Sequence, residues 1–278
     1  MSRDGRRNDN ASNKKNKPKV ETVDGGIRLN KYIANAGICS RRDADIYITA
    51  GNVTVNGKTI TEMGYKVKLS DEVKFDGRSI TPDKKEYYLL NKPKDVFVSG
   101  SLNESGMTVL DIVGRATKAR LSPIGKLERS AMGLVVLTND GTLSKSLANP
   151  RHGIRQIYHV QLNKELSQVD LEKIRQGITL EDGEIKVVDI SYVENKSKRE
   201  VGIEIKSTKS HIVQRLFKSL NYEIKYLDRV VFGTLTKKDL PRGMFRHLTK
   251  QEIINLVINC RTVTIVTISS FIKFKSYC

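Results

Sequence analysis

The sequence predicts an α+β protein, with a small helix–helix–hairpin domain followed by a larger domain built on a mixed, mainly antiparallel sheet. The 278 residues, 38% of them hydrophobic, suit two modest domains with apolar cores. Two segments with helical periodicity precede an Asn-Gly hairpin near the start of the chain. Further along, predicted strands outnumber helices and do not alternate with them regularly, which favours α+β over a parallel α/β fold.

The charge balance indicates a polyanionic partner. Lys and Arg number 49 against 31 Asp and Glu, which gives a formal net charge of +18. Nucleic acid is favoured over a membrane surface because the chain has no basic amphipathic helix with a bulky aromatic face. A basic structural protein without chemistry is also compatible with the charge alone.

Cysteine and histidine usage predicts neither a disulfide framework nor a metal site. Cys39, Cys260 and Cys278 are odd in number and far apart, and the four histidines do not pair with them. We therefore expect the protein to lie in a reducing compartment. The first residues carry arginines and no apolar run, so we expect no secretory signal and a cytoplasmic location.

The small domain is expected at residues 27–78, after a disordered basic arm at 1–26 that either contacts phosphates or is a solvated tail. Gly37 ends the first helix, and Ser40 caps a second helix that ends before Gly51. Asn56-Gly57 then supplies the positive backbone angles of a tight hairpin.

We predict a linker at residues 79–85, the larger domain at 86–256 and an atypical extension at 257–278. Asn91-Lys92-Pro93 reads as a turn. The last segment, TVTIVTISSFIKF, is too short to span a bilayer, and we interpret it as an added strand or a non-native extension.

Strands are predicted at Tyr87–Leu90, Leu134–Thr138, Ile157–Leu162, Ile185–Val193, Val201–Lys206 and Arg229–Phe232. Helices are predicted at Leu143–Ala148, Gln168–Gln176 and Val213–Leu220.

The segment Ile124–Gly141 reads IGKLERSAMGLVVLTNDG. It resembles the signature of the pseudouridine synthases that modify ribosomal RNA at single uridines, G-R-L-D-x-x-T-x-G-L-L-L-L-T-N-D-G. The pattern is kept from Gly133 onward, but Glu128 stands where the signature has its catalytic aspartate.

The small domain resembles the RNA-binding domain named after the fourth small-subunit ribosomal protein. Matching segments are Arg28-Leu29-Asn30-Lys31, Ser40-Arg41-Arg42 and Val53–Gly57. The resemblance implies that four side chains meet RNA phosphates, namely Arg28, Lys31, Arg41 and Arg42. The alternative is that these are solvated helix charges.

The family's reaction detaches uracil from ribose, rotates it and rejoins it through carbon, so the target nucleotide must leave its stack. The resemblance implies a carboxylate, a cation beside it and an aromatic ring against the base, with no metal or organic cofactor. These roles fall on Glu128, on Gln214 at the arginine position, on Lys126 in place of the signature arginine, and on Tyr158. The alternative is that Tyr158 is a core tyrosine with a hydrogen-bonded hydroxyl. Lys209 and Arg215 are expected to contact RNA.

Two departures from the family pattern predict impaired catalysis. Glutamate is one methylene longer than aspartate, and a misplacement of about 1 Å can cost about 100-fold in rate. Gln214 carries no charge, so we expect burial to raise the pKa of Glu128 unopposed. The sequence thus predicts a monomeric protein that binds ribosomal RNA, not DNA or membrane, with a silent pocket. The alternative is an active synthase that uses Glu128.

Overall fold

A computed structural model describes residues 26–98, 106–149, 153–207 and 209–261. The described residues divide into two compact units, one formed by residues up to 34 with 39–81, the other by 35–38 and the chain from 82 onward. We propose residues 79–85 as the linker between domains at 27–78 and 86–256.

The first unit consists of two short helices and six short strands. They are β1 (Ile27–Arg28), α1 (Leu29–Asn35), α2 (Arg41–Thr49), β2 (Val53–Val55), β3 (Lys58–Thr59), β4 (Lys66–Val67), β5 (Val73–Phe75) and β6 (Arg78–Ile80). Strands β3, β2, β5 and β6 form an antiparallel sheet, and β1 pairs with β4.

Two predicted local signals are confirmed in this unit. Ser40 caps α2 in a reciprocal capping box with Asp43, which satisfies two backbone donors at the start of the helix. Asn56 and Gly57 have φ of 50° and 81°, the left-handed values that the tight β2–β3 hairpin requires.

The second unit carries the remaining elements. They are β7 (Tyr87–Lys92), α3 (Val109–Val113), β8 (Ser122–Ile124), β9 (Met132–Thr138), α4 (Gly141–Leu147), β10 (Gln156–Leu162), α5 (Gln168–Gln176), β11 (Ile178–Leu180), β12 (Gly183–Ile185), β13 (Val187–Tyr192), β14 (Glu200–Ile205), α6 (Ile212–Ser219), β15 (Ile224–Phe232), β16 (Leu235–Thr236), β17 (Phe245–His247) and α7 (Lys250–Arg261). Helix α5 has the bounds predicted from sequence.

Its central sheet runs β13-β14-β10-β15-β9-β7-β17, with β8 beside β9 and β16 beside β15. Strands β15 and β9 are parallel, and the other described pairs are antiparallel. The predicted fold class is therefore confirmed. Alternate residues of β9 enter two apolar clusters, Val135 and Leu137 in one and Leu134 and Val136 in the other, as expected for a strand covered on both faces.

Two element predictions are wrong. Asn91 and Lys92 continue β7 through pairing with Leu134 and Gly133, and the turn follows at Asp95, whose φ is +62°. The predicted strand Ile185–Val193 is two strands, because β12 pairs with β11 whereas β13 pairs with β14.

Helix α7 continues past the domain end predicted at residue 256. The basic arm up to residue 25 and the segment TVTIVTISSFIKF lie outside the described residues. Among the described helices, none is both long and apolar enough to cross a membrane.

Candidate active site

The loop between β8 and β9 carries Glu128, and close packing against β15 fixes the end of this loop. Gly133, at the start of β9, has a φ of +111°, and a Cβ added there would lie 2.3 Å from the carbonyl oxygen of Arg229. Only glycine tolerates both that backbone conformation and that approach. The parallel register of Gly133 with Arg229 therefore sets where the loop begins and ends.

Arg229 is a fully buried side chain that ties three strands together. Its Nε and Nη2 donate to the carbonyl oxygen of Leu134 at 2.8 and 2.6 Å, and its Nη1 donates to Gln156 Oε1 at 3.0 Å. The guanidinium also lies 4.7 Å from the ring centroid of Phe232. Local sequence patterns could not predict this role, because the partners on β9 and β10 are far away along the chain.

Tyr158 lies on β10 and is 5% exposed. Its hydroxyl donates to Gln156 Oε1 at 2.8 Å, so Gln156 links it to Arg229. Burial raises the pKa of Tyr158, and the nearby Arg229 opposes that shift. The core interpretation of this tyrosine fits the structure, and stacking on a flipped base stays a proposal.

The Glu128 side chain is 14% exposed, and its two oxygens have different surroundings. Oε1 lies 3.0 Å from His211 Nδ1. Oε2 is buried and has no hydrogen-bond partner among the described residues. Burial raises the pKa of Glu128, while the charge and hydrogen bond of His211, and the charge of Lys92, act in the opposite direction.

His211 replaces Gln214 as the group beside the carboxylate. Gln214 Nε2 instead reaches Ser130 Oγ at 3.5 Å, a weak contact. The expectation that Glu128 lacks a basic neighbour is therefore wrong. Residues three apart share a helix face, so the position one turn earlier, at the N-cap of α6, reaches the same carboxylate.

The two lysines near the site are engaged with other groups. Lys126 Nζ donates to Ser210 Oγ at 3.0 Å, which joins the Glu128 loop to the segment before α6. Lys92 is fully buried and donates to the carbonyl oxygens of Pro93, Val96 and Arg129. Burial lowers the pKa of Lys92 to about 8.

Lys209 and Arg215, which are predicted to contact RNA, both pair with the exposed carboxylate of Asp182. Arg215 holds Asp182, at the β11–β12 turn, through two hydrogen bonds of 2.6 and 2.9 Å. Lys209 Nζ lies 3.4 Å from the same carboxylate. The pKa of Asp182 is lowered to about 2, chiefly by the hydrogen bonds from Arg215.

The other predicted RNA contacts lie in the first unit. Arg28 is on β1, Lys31 is on α1, and Arg41 and Arg42 open α2. Arg28, Arg41 and Arg42 are exposed. Arg41 reaches Asn30 Oδ1 at 3.4 Å. No group of His, Cys, Asp and Glu in the described part of the chain is arranged to hold a metal ion.

The described residues thus combine a mixed sheet, a loop-borne and mostly buried carboxylate, and a separate unit with exposed arginines. Residues 86–219 match the family model described as RNA pseudouridylate synthase, and residues 27–73 match the S4 domain. The chain belongs to the RNA pseudouridine synthase family.

Several curated relatives support this assignment along most of the chain. Ribosomal large subunit pseudouridine synthase B of Bacillus subtilis (strain 168) is 33% identical over 229 residues, which cover 81% of this chain and 93% of that protein. The dual-specificity RNA pseudouridine synthase RluF of Escherichia coli (strain K12) is 32% identical, covering 84% of this chain and 79% of that protein. A solved structure described as a pseudouridylate synthase superimposes with a TM-score of 0.58 and 26% identity, over 83% of this chain and 99% of that one.

Proposed function

We propose that this protein binds ribosomal RNA and that its isomerisation of uridine to pseudouridine is impaired. Two of its relatives are a ribosomal large subunit synthase and a dual-specificity RNA synthase. The net charge of +18 and the matched S4 domain favour the same class of partner. Action on ribosomal RNA fits the cytoplasmic location expected from the sequence, and we expect the protein to act as a monomer.

The proposal that catalysis is impaired rests on the environment of Glu128. A carboxylate that acts as nucleophile or proton acceptor must be ionised, but burial raises the pKa of Glu128. Its direct partner, His211, is 58% exposed and carries charge only when protonated. The position where the family has arginine holds Gln214, which cannot supply charge at any pH.

One observation favours the second candidate, an active synthase. The buried Oε2 of Glu128 has no hydrogen-bond partner among the residues described, although buried polar atoms are normally satisfied. A nucleotide entering the site could supply that partner. In that case Glu128 would be the catalytic carboxylate.

The test is a pair of measurements on the full chain. Binding to ribosomal RNA fragments is followed by fluorescence anisotropy, and pseudouridine is mapped chemically on the same RNA after incubation. The variants are Glu128→Ala and, as a matched control, Glu165→Ala at an exposed glutamate.

The proposal expects tight, salt-sensitive binding by all three proteins and no pseudouridine above background. Pseudouridine formed by the wild type and by Glu165→Ala, but lost in Glu128→Ala, would establish the active synthase instead. Absence of ribosomal RNA binding would contradict both candidates.

A further inference from the structure

The basic side chains near the loop that carries Glu128 differ in whether they remain available to its carboxylate. Lys92 donates to three carbonyl oxygens, Arg229 donates to Leu134 and Gln156, and Lys126 donates to Ser210. Within the described ranges, His211 is the basic side chain in direct contact with the carboxylate, at 3.0 Å.

The backbone holds His211 in a conformation that favours this contact. Its φ of 55° and ψ of 25° lie in the left-handed region, which histidine and asparagine adopt more often than most residues. Its carbonyl oxygen accepts from the backbone nitrogen of Arg215 at 2.9 Å, as the first turn of α6 requires. The preceding Ser210 accepts from Lys126. The imidazole is therefore presented to Glu128 from a segment anchored on both sides.

We propose that His211 is a positioning residue, whose imidazole holds the Glu128 carboxylate at 3.0 Å and favours its ionised form. The proposal rests on the same site as the proposed function, but it concerns the charge state of the free protein. It is compatible with impaired turnover, because burial still raises the pKa of Glu128 and His211 opposes that shift without removing it.

The direction in which pH changes the charge of the site follows from the groups that face His211 and Glu128. His211 places a positive charge beside Glu128 only when its imidazole is protonated. As the pH falls, Glu128 takes up a proton, and it does so early because burial raises its pKa. The other groups on the surrounding elements are Lys92 on β7, Tyr158 on β10 and Arg229 on β15. Lys92, with a pKa lowered to about 8, adds to the loss of positive charge at alkaline pH, whereas Arg229 stays charged.

The first experiment is an NMR comparison of the histidine rings in the full chain, without RNA, for wild type and Glu128→Gln. Replacing the carboxylate with an amide should shift the ring resonances of His211, because its Nδ1 lies 3.0 Å from Glu128 Oε1. The internal control is His159, which pairs with Glu200 at 2.9 Å and should keep its ring resonances.

The second experiment follows the Glu128 carboxyl carbon in His211→Asn and His211→Arg. Asparagine tolerates the left-handed backbone but removes the charge, so the carboxyl midpoint should rise. Arginine should lower it again, and this rescue would not be expected of a merely structural residue. Unchanged His211 ring resonances in Glu128→Gln, or equal carboxyl midpoints in the two His211 variants, would overturn the proposal. Because neither experiment uses RNA, these outcomes are independent of whether ribosomal RNA is bound.

Discussion

At the scale of single residues, the site combines three changes that act on one carboxylate. Glu128 is longer than the aspartate of the family signature, Gln214 is uncharged, and His211 contacts the carboxylate at 3.0 Å. The basic group beside Glu128 is therefore His211, one helical turn before Gln214. Histidine carries charge only when it is protonated.

Activity should be recovered only when the aspartate and the arginine of the family pattern are restored together. Glu128→Asp restores the reach without the cation, and Gln214→Arg restores the cation beside a carboxylate that is too long. Groups that act as a unit are strongly non-additive, so each single reversion should give little activity and the double reversion the first clear pseudouridine signal. Chemical mapping of pseudouridine on total ribosomal RNA measures this. Equal activity in the wild type, both single variants and the double variant would show that the catalytic pair lies elsewhere.

At the scale of elements, the active-site loop depends on the parallel contact between β9 and β15. That contact is close only because Gly133 lacks a Cβ and has a φ of +111°. Arg229, opposite Gly133, then reaches the carbonyl oxygen of Leu134. Packing in the sheet interior thereby fixes the position of a catalytic-type side chain several residues away.

Gly133→Ala should strongly destabilise the larger unit. The added methyl group would meet the backbone of Arg229 at 2.3 Å in a conformation that alanine avoids, so we expect the free energy of unfolding to fall by about 3 kcal/mol or more. Urea denaturation measures the change. The matched control is Gly141→Ala at the start of α4, where a Cβ meets nothing within 4 Å and should be neutral or slightly stabilising. Similar stabilities for the two variants would contradict the account of the strand contact.

The β11–β12 hairpin should compete with RNA for Lys209 and Arg215. Asp182→Asn removes the negative charge that pairs with both cations, while Lys209 Nζ keeps its 2.9 Å hydrogen bond to the backbone carbonyl oxygen of residue 182. Affinity for ribosomal RNA should therefore rise, and its dependence on salt should steepen by about 0.7–0.9 per additional phosphate contacted. Glu181→Gln, an exposed neighbour with the same charge change, controls for net charge. If the two variants bind RNA with the same affinity and salt slope, the Asp182 ion pair does not restrict binding.

At the scale of the whole molecule, the net charge of +18 is the feature most relevant to RNA affinity. Phosphate contacts release counterions, so binding through many cations weakens steeply with salt. We expect the predicted contact face in the first unit and the Lys209–Arg215 pair in the second to contribute separately to that dependence.

Replacing the four predicted contact residues of the first unit with alanine should lower both affinity and salt slope. The residues are Arg28, Lys31, Arg41 and Arg42. If the wild type contacts six or more phosphates, its affinity should fall by about 10³ or more between 50 and 200 mM salt, and the fourfold variant should lose less. Equilibrium binding at several salt concentrations measures the slopes.

The matched control removes four exposed lysines of the second unit, Lys145, Lys173, Lys186 and Lys196. Both variants lose the same net charge, so a specific face predicts a larger drop for the first. An unchanged slope in the first variant would refute the proposed face.

Local signals in the sequence identified several of the elements and the family. The capping serine Ser40, the Asn56-Gly57 turn and the apolar period of α5 and α6 depend on neighbours a few residues away, and the structure confirms them. The signature around Glu128 likewise identified the family from consecutive residues. The irregular order of strands and helices was enough to predict a mixed sheet.

Only the tertiary structure decided which side chains surround the carboxylate. His211 and Glu128 are brought together by the packing of α6 on the β8–β9 loop, and the sequence motif pointed to Gln214 instead. Arg229 reaches Leu134 across 95 residues, and Lys92 is buried within β7 where a turn was predicted. Hydrogen bonds and burial between residues distant along the chain depend on the sheet register and the strand crossings, which local periodicity does not encode.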